Sequence, residues 1–220
     1  LPAPRFIQIA QYSFVLKLKT MNAGYLLNGL EKDVKTLLEE LKDLRNATEA
    51  RTWLLQPSPE KWSPAQVIEH LNSYNRYYIP QIQLAILRAR QKTVVGSSEF
   101  TPGWLGAFFT RVMKPTAQGT VAHKMQAPKD HRPIADLNLQ KVLEEFERQE
   151  NLLVDLLNES ASINIGDVRV PISISKFIKL KLGDTFNFLI AHQRRHFIQL
   201  RRTLDSVHTA SGINLKQAVG

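Results

Sequence analysis

Leu26, Leu27, Leu30, Val34, Leu37, Leu38, Leu41 and Leu44 recur at spacings of three and four. That stripe predicts a core-facing helix from about Ala23 to Ala47. A second helix is announced by SPAQVIEHL: Ser63 suits the N-cap, Pro64 the first helical position and Gln66 the third. It should reach about Arg90 and bend at Pro80, where a hydrogen bond is missing and the ring crowds the preceding turn. A third spans about Asp136 to Asn158, with Leu139, Val142, Leu143, Phe146, Leu153, Leu156 and Leu157 on its buried side. Glu144, Glu145, Glu147 and Glu150 of this helix read as a solvated face. A fourth is expected from Asp184, an N-cap candidate after Gly183, to about Val207. Its apolar positions are Phe186, Leu189, Ile190, Phe197, Leu200 and Leu204.

Two connections are long. Residues 91–135 carry several Gly and Pro, and within them GWLGAFFTRVM can form a short amphipathic helix. Residues 161–175 are β-branched around a Gly-Asp turn and suit a short hairpin or an extended link. The pattern as a whole predicts an all-α four-helix bundle with long connections between helices two and three and between three and four. Residues 1–20 lack this periodicity and read as an extension outside the fold, with an export signal as the alternative. The bundle domain then covers 21–208, and 209–220 is a polar tail expected to be flexible.

Composition narrows the chemistry. Hydrophobic residues make up 43% of the 220, and no run approaches the length of a membrane-spanning helix. There is no cysteine, which excludes disulfide frameworks, thiolate metal sites and a cysteine nucleophile, and agrees with a cytoplasmic location. The formal net charge is +9, but the longest basic clusters are the pairs Arg194-Arg195 and Arg201-Arg202, so no nucleic-acid partner is expected.

Candidate chemistry lies in histidines. His192 and His196, in IAHQRRHFIQL, share one helix face one turn apart. Two imidazoles so placed can converge on one cation at about 2.0–2.1 Å each. Alone, the spacing also fits a chance solvated pair. His70, two turns into the second helix, has Gln66, Val67, Ser73 and Tyr74 as helical neighbours and should point inward. A buried neutral histidine needs either a hydrogen-bond partner or a metal, and the residues leave both open.

WSPAQVIEHL, with its Trp, Ser cap and His eight residues after the Trp, resembles the second-helix signature of the DinB/YfiT-like superfamily. GDTFNFLIAHQRRHFIQLRRTL resembles that family's last-helix signature with its His-x-x-x-His pair. The resemblance spans about residues 24–207 in helix order and spacing. It implies a DinB-like four-helix bundle in which His70, His192 and His196 hold a divalent metal, nickel or zinc in type. It also implies a class containing small-thiol S-transferases that use bacillithiol, mycothiol or glutathione. In such enzymes the metal presents the thiolate of a low-molecular-weight thiol to a small-molecule electrophile. A metal-dependent hydrolase of the same fold, or a non-catalytic metal- or ligand-binding stress-response protein, are the alternatives.

Beyond the three histidines, one of Tyr74, Tyr77 and Tyr78 can reach the cavity, though packing is their default role. Arg195 can steer an anionic thiol, against the default of a solvated arginine. Gln193 and Gln199 suit partners behind the ligands. Glu69 points about 100° away from His70. Trp62 should pack the helix entry, and His123, His131 and His208 read as surface residues. The aromatic cluster Trp104, Phe108 and Phe109 suggests a homodimer surface or a lid over the site.

Overall fold

The computed structural model describes residues 18–92, 96–114 and 126–210. Four long helices dominate: α1 (Ala23–Ala47), α3 (Pro64–Gln91), α5 (Leu139–Ser160) and α6 (Leu182–Ala210). Both α1 and α3 pack on both α5 and α6, so α1 and α3 stand on opposite corners of a four-helix bundle. Two short helices, α2 (Ala50–Leu54) and α4 (Trp104–Met113), and a 3-10 turn at Lys129–His131 lie in the connections. Two small antiparallel ribbons complete the described residues: β1 (Met21–Asn22) with β2 (Glu99–Phe100), and β3 (Arg169–Ile172) with β4 (Ser175–Lys181).

The start of α3 is built as its sequence predicts. Ser63 Oγ accepts from Gln66 N while Gln66 Oε1 accepts from Ser63 N, a reciprocal capping box with Pro64 in the first turn. The helix then runs through Pro80 to Gln91. Other boundaries shift. Helix α5 starts three residues later than Asp136, because Asn138 caps it by accepting from Lys141 N. Helix α6 begins at Leu182, so Asp184 lies inside its first turn and is not its N-cap. The Asp184 carboxylate instead accepts from Gly103 N at 2.8 Å, in the approach to α4. Helix α6 also runs through residues 209 and 210, and His208, expected at the surface, is buried. The hairpin forms beyond Gly166-Asp167, with its turn at Ser173-Ile174. Tyr77 and Tyr78 explain its docking: Tyr77 Oη donates to Ile172 O and Tyr78 Oη accepts from Ser173 N.

The apolar interior divides into two clusters. One joins Leu27, Leu30, Tyr78, Ile82, Leu153, Leu156, Phe186 and Leu189 at the hairpin end. The other joins Leu41, Trp53, Ile68, Leu71, Phe146, Phe197 and Leu200 at the opposite end. Between them, each of α3, α5 and α6 switches to buried polar residues: Asn72 and Asn75, Gln149 and Glu150, His192 and Gln193. This polar belt across the bundle is where the candidate site lies.

No helix among the described residues is long and apolar enough to cross a membrane. Residues 1–17 and 211–220, and with them most of the expected extension and tail, lie outside the described residues, as does His123. At the other end of the expected extension, Thr20 Oγ1 lies 2.7 Å from Thr101 Oγ1. Trp104 and Phe108 are exposed on α4, whereas Phe109 turns inward, its ring 6.0 Å from that of Phe188.

A candidate metal centre of three histidines

Helix α3 brings His70 and helix α6 brings His192 and His196 into one cluster. One ring nitrogen from each lies within 4.8 Å of the others. The ring centroids are 4.5–5.2 Å apart. His70 and His192 are buried, and His196 is half-buried. The i, i+4 spacing on α6 puts both imidazoles on the face toward α3, and that neighbouring helix supplies the third.

Hydrogen bonds fix two of the rings. His70 Nδ1 lies 2.7 Å from the His131 carbonyl oxygen, which can only accept. The His70 proton therefore sits on Nδ1, and Nε2 keeps its lone pair toward the cluster. His196 Nδ1 donates in the same way to Gln199 Oε1 at 2.8 Å. His192 Nε2 faces His70 Nε2 at 3.3 Å. Two donors held about 2.0–2.1 Å from a tetrahedral cation lie about 3.3–3.4 Å apart. The opposite nitrogen of His192, Nδ1, is buried without a hydrogen-bond partner among the described residues. An imidazole with one nitrogen unpaired and the other aimed at a neighbour's lone pair is poorly satisfied by protein alone. A shared cation lets both lone pairs be used.

The electrostatics agree with that reading. Burial pushes His70 down to about 4, only partly opposed by its bond to the His131 carbonyl. Burial, then the nearby His70, pushes His196 down to about 3. His192 is driven well below its ordinary value by burial and then by His196 and His70. All three imidazoles are neutral at pH 7, the form that ligates a metal. The cluster could hold a metal ion.

Aromatic rings wall the cluster. Trp62 stands 4.9 Å from His70, Tyr74 4.4 Å from His192, and Phe188 6.1 Å from His192 in a stacked arrangement. Of the three tyrosines after His70, only Tyr74 faces the histidines; the other two hold the hairpin. Burial raises the Tyr74 hydroxyl above its ordinary range and keeps it protonated.

Several residues sit where their sequence did not suggest. His131 is buried, its ring 3.9 Å from Tyr74 and its carbonyl on His70. It comes from a loop with no helical periodicity, so spacing carried no signal of it. Arg195 is buried rather than solvated, and donates to Val112 O at 3.3 Å. Gln199 does back a histidine, but Gln193 turns to the polar belt and donates to Glu150 Oε1 at 2.6 Å. Glu150 is not on a solvated face: it is fully buried and also accepts from Asn75 Nδ2 at 2.8 Å. Glu69, as its angle on the helix requires, turns to Arg76, which also holds Glu145.

No curated protein and no solved structure gives a significant match to this chain. The family model of the DinB superfamily matches residues 26–200, a span that contains all three histidines, all of α3 and α5, α1 but for its first three residues, and α6 but for its last ten. The chain belongs to the DinB superfamily.

Proposed function

We propose that His70, His192 and His196 hold one divalent cation, zinc or nickel in type, and that the protein is a metal-dependent enzyme acting with a small thiol on an electrophile. The observation that carries the metal reading is the meeting of three imidazoles, each held neutral by burial and two with Nδ1 committed to an acceptor. A cation bound there supplies Lewis acidity, lowering the pKa of a thiol or a water at its open position.

The chain's own residues set the conditions for that chemistry. Neutral ligands leave the full charge of a divalent cation uncompensated, which favours an anionic partner such as a thiolate. Trp62, Tyr74 and Phe188 exclude water from the ligand side chains and lower the local dielectric. His196 is the ligand with appreciable exposure, so approach from solvent comes from its side. The protonated Tyr74 hydroxyl can donate to charge developing on an acceptor, and the Arg195 guanidinium adds a positive field felt at His192 and His196.

Metal content by plasma mass spectrometry on tag-free protein comes first. The loaded protein is then offered glutathione, bacillithiol or mycothiol with a fluorogenic electrophile, and separately activated esters. Thiol-dependent turnover that is lost in His192→Ala supports the transferase. Ester turnover without thiol replaces it with a hydrolase. Stoichiometric metal with no turnover in either screen replaces both with a metal-binding module.

A further inference from the structure

The loop that carries the Lys129–His131 turn meets α3 through a closed circuit of hydrogen bonds. His70 Nδ1 donates to the His131 carbonyl at 2.7 Å. Ser73 Oγ donates to the His70 carbonyl at 2.7 Å. With its proton used there, Ser73 Oγ accepts from His131 Nδ1 at 3.1 Å. Each of the three residues thus holds the next, and the His131 ring is further seated on Tyr74 with centroids 3.9 Å apart. One turn earlier on α3, Gln66 Nε2 donates to Ile134 O at 3.1 Å and fixes the other end of the same loop.

This circuit has a chemical consequence. A free neutral imidazole exchanges between two tautomers, and only one of them leaves Nε2 bare. A carbonyl opposite Nδ1 selects that tautomer and aims the ring. The carbonyl belongs to a loop with little secondary structure of its own, so its position depends on what anchors the loop. The two anchors nearest to it are the His131 ring and the Ser73 hydroxyl.

We propose that His131 and Ser73 are positioning residues that hold His70 in the Nδ1–H tautomer, with Nε2 presented to the cluster. Neither touches the cation in this reading. His131 acts through its own carbonyl, and Ser73 acts through His131. The inference rests on the three-histidine metal reading only for its effect on affinity; the tautomer is a property of the metal-free protein.

The test has two arms. In metal-free protein, long-range ¹H–¹⁵N NMR correlation of the His70 ring should show a protonated Nδ1 in the wild type. His131→Ala and Ser73→Ala should show averaging between both tautomers, and Ser73→Thr, which restores the hydroxyl, should return the wild-type pattern. In the second arm, zinc affinity is measured by competition with a chelating dye. His131→Ala leaves the carbonyl but frees the loop that carries it, so it should weaken zinc binding by more than twofold and by less than the about 10–100-fold typical of removing a partner behind a ligand, and Ser73→Ala should weaken it in the same direction. A His70 ring that stays Nδ1–H in both alanine variants, with zinc affinity within twofold of wild type, overturns the proposal. If His131→Ala does not fold, Ser73→Ala, which removes one hydroxyl and leaves a good helix former, decides it. If the wild type binds no zinc, the metal reading fails while the tautomer arm still judges His131 and Ser73.

Discussion

His70 and His192 come from two adjacent helices, 122 residues apart in the chain, and their Nε2 atoms stand 3.3 Å apart. Two neutral imidazoles approach this way when they share a proton or a cation. If a cation is shared, His192→Ala and His70→Ala should each reduce bound metal from about one ion per chain to nearly none. Far-ultraviolet circular dichroism should change little, because the helices are held by two apolar clusters on either side of the site. Glu69→Gln is the matched control one residue away. Its carboxylate serves Arg76 at 2.7 Å and no imidazole, so metal content should stay at the wild-type level. Plasma mass spectrometry on the three variants checks the metal content, and circular dichroism the fold.

Acid should weaken the metal-free fold through these same rings. His70 and His196 sit at about 4 and about 3 in the fold against an ordinary 6.5, and His192 is shifted the same way. Below pH 6.5 the unfolded chain takes up protons that the folded one refuses. Stability is therefore fully kept above 6.5 and falls as pH drops toward 4, by up to about 1.4 kcal/mol per pH unit for each group. Denaturant midpoints of metal-free protein between pH 7.5 and 4.5 should show this fall, with a shallower slope in His196→Gln. Bound metal should be released over the same range, since protons compete for the same nitrogens.

Glu150 produces the opposite slope. It is fully buried with amide partners, Asn75 and Gln193, and burial pushes its carboxyl up to about 8. The folded protein holds a proton that the unfolded chain releases above about 4.5. Its contribution is complete below 4.5 and is lost as pH rises toward 8, again by up to about 1.4 kcal/mol per pH unit. Glu150→Gln keeps an oxygen for both amide donors and has no charge to bury. It should be more stable than the wild type at pH 8 and close to it at pH 5, measured by urea unfolding at both pH values.

The four long helices were legible because each carries a periodic apolar stripe, and the start of α3 because Ser63, Pro64 and Gln66 stand in the order that a capping box requires. The three histidines were legible through spacing on α6 and through family likeness on α3. His131 was not, since a loop residue is brought to the site by tertiary contacts that leave no period in the sequence. Glu150 and Arg195 were misplaced for a related reason: charge in a helix predicts solvent by default, and only the packing of α3, α5 and α6 reveals that this stretch of the bundle is polar inside. Asp184 follows Gly183 as a cap would, but the strand β4 leads directly into α6 and moves the helix start to Leu182.

Asp184 and Gly106 form the tightest glycine contact in the described chain, and it offers a test remote from the histidines. A Cβ on Gly106 would lie 2.3 Å from Asp184 Cγ and 2.4 Å from its Cβ, far inside van der Waals distance. Helix α4 can approach α6 this closely only because residue 106 has no side chain. The approach also lets Asp184 accept from Gly103 N, beside the N-terminus of α4, where a carboxylate is favourable. Gly106→Ala must push α4 outward, which weakens that bond and loosens the Phe109 contact on Phe188. A gain in helix propensity of about 1 kcal/mol opposes an overpacking cost of about 1–3 kcal/mol. The second should win because the clash is with the stem of a buried side chain rather than a flexible end. The variant should unfold at lower urea with unchanged metal content, whereas equal or greater stability would show that α4 can move without cost.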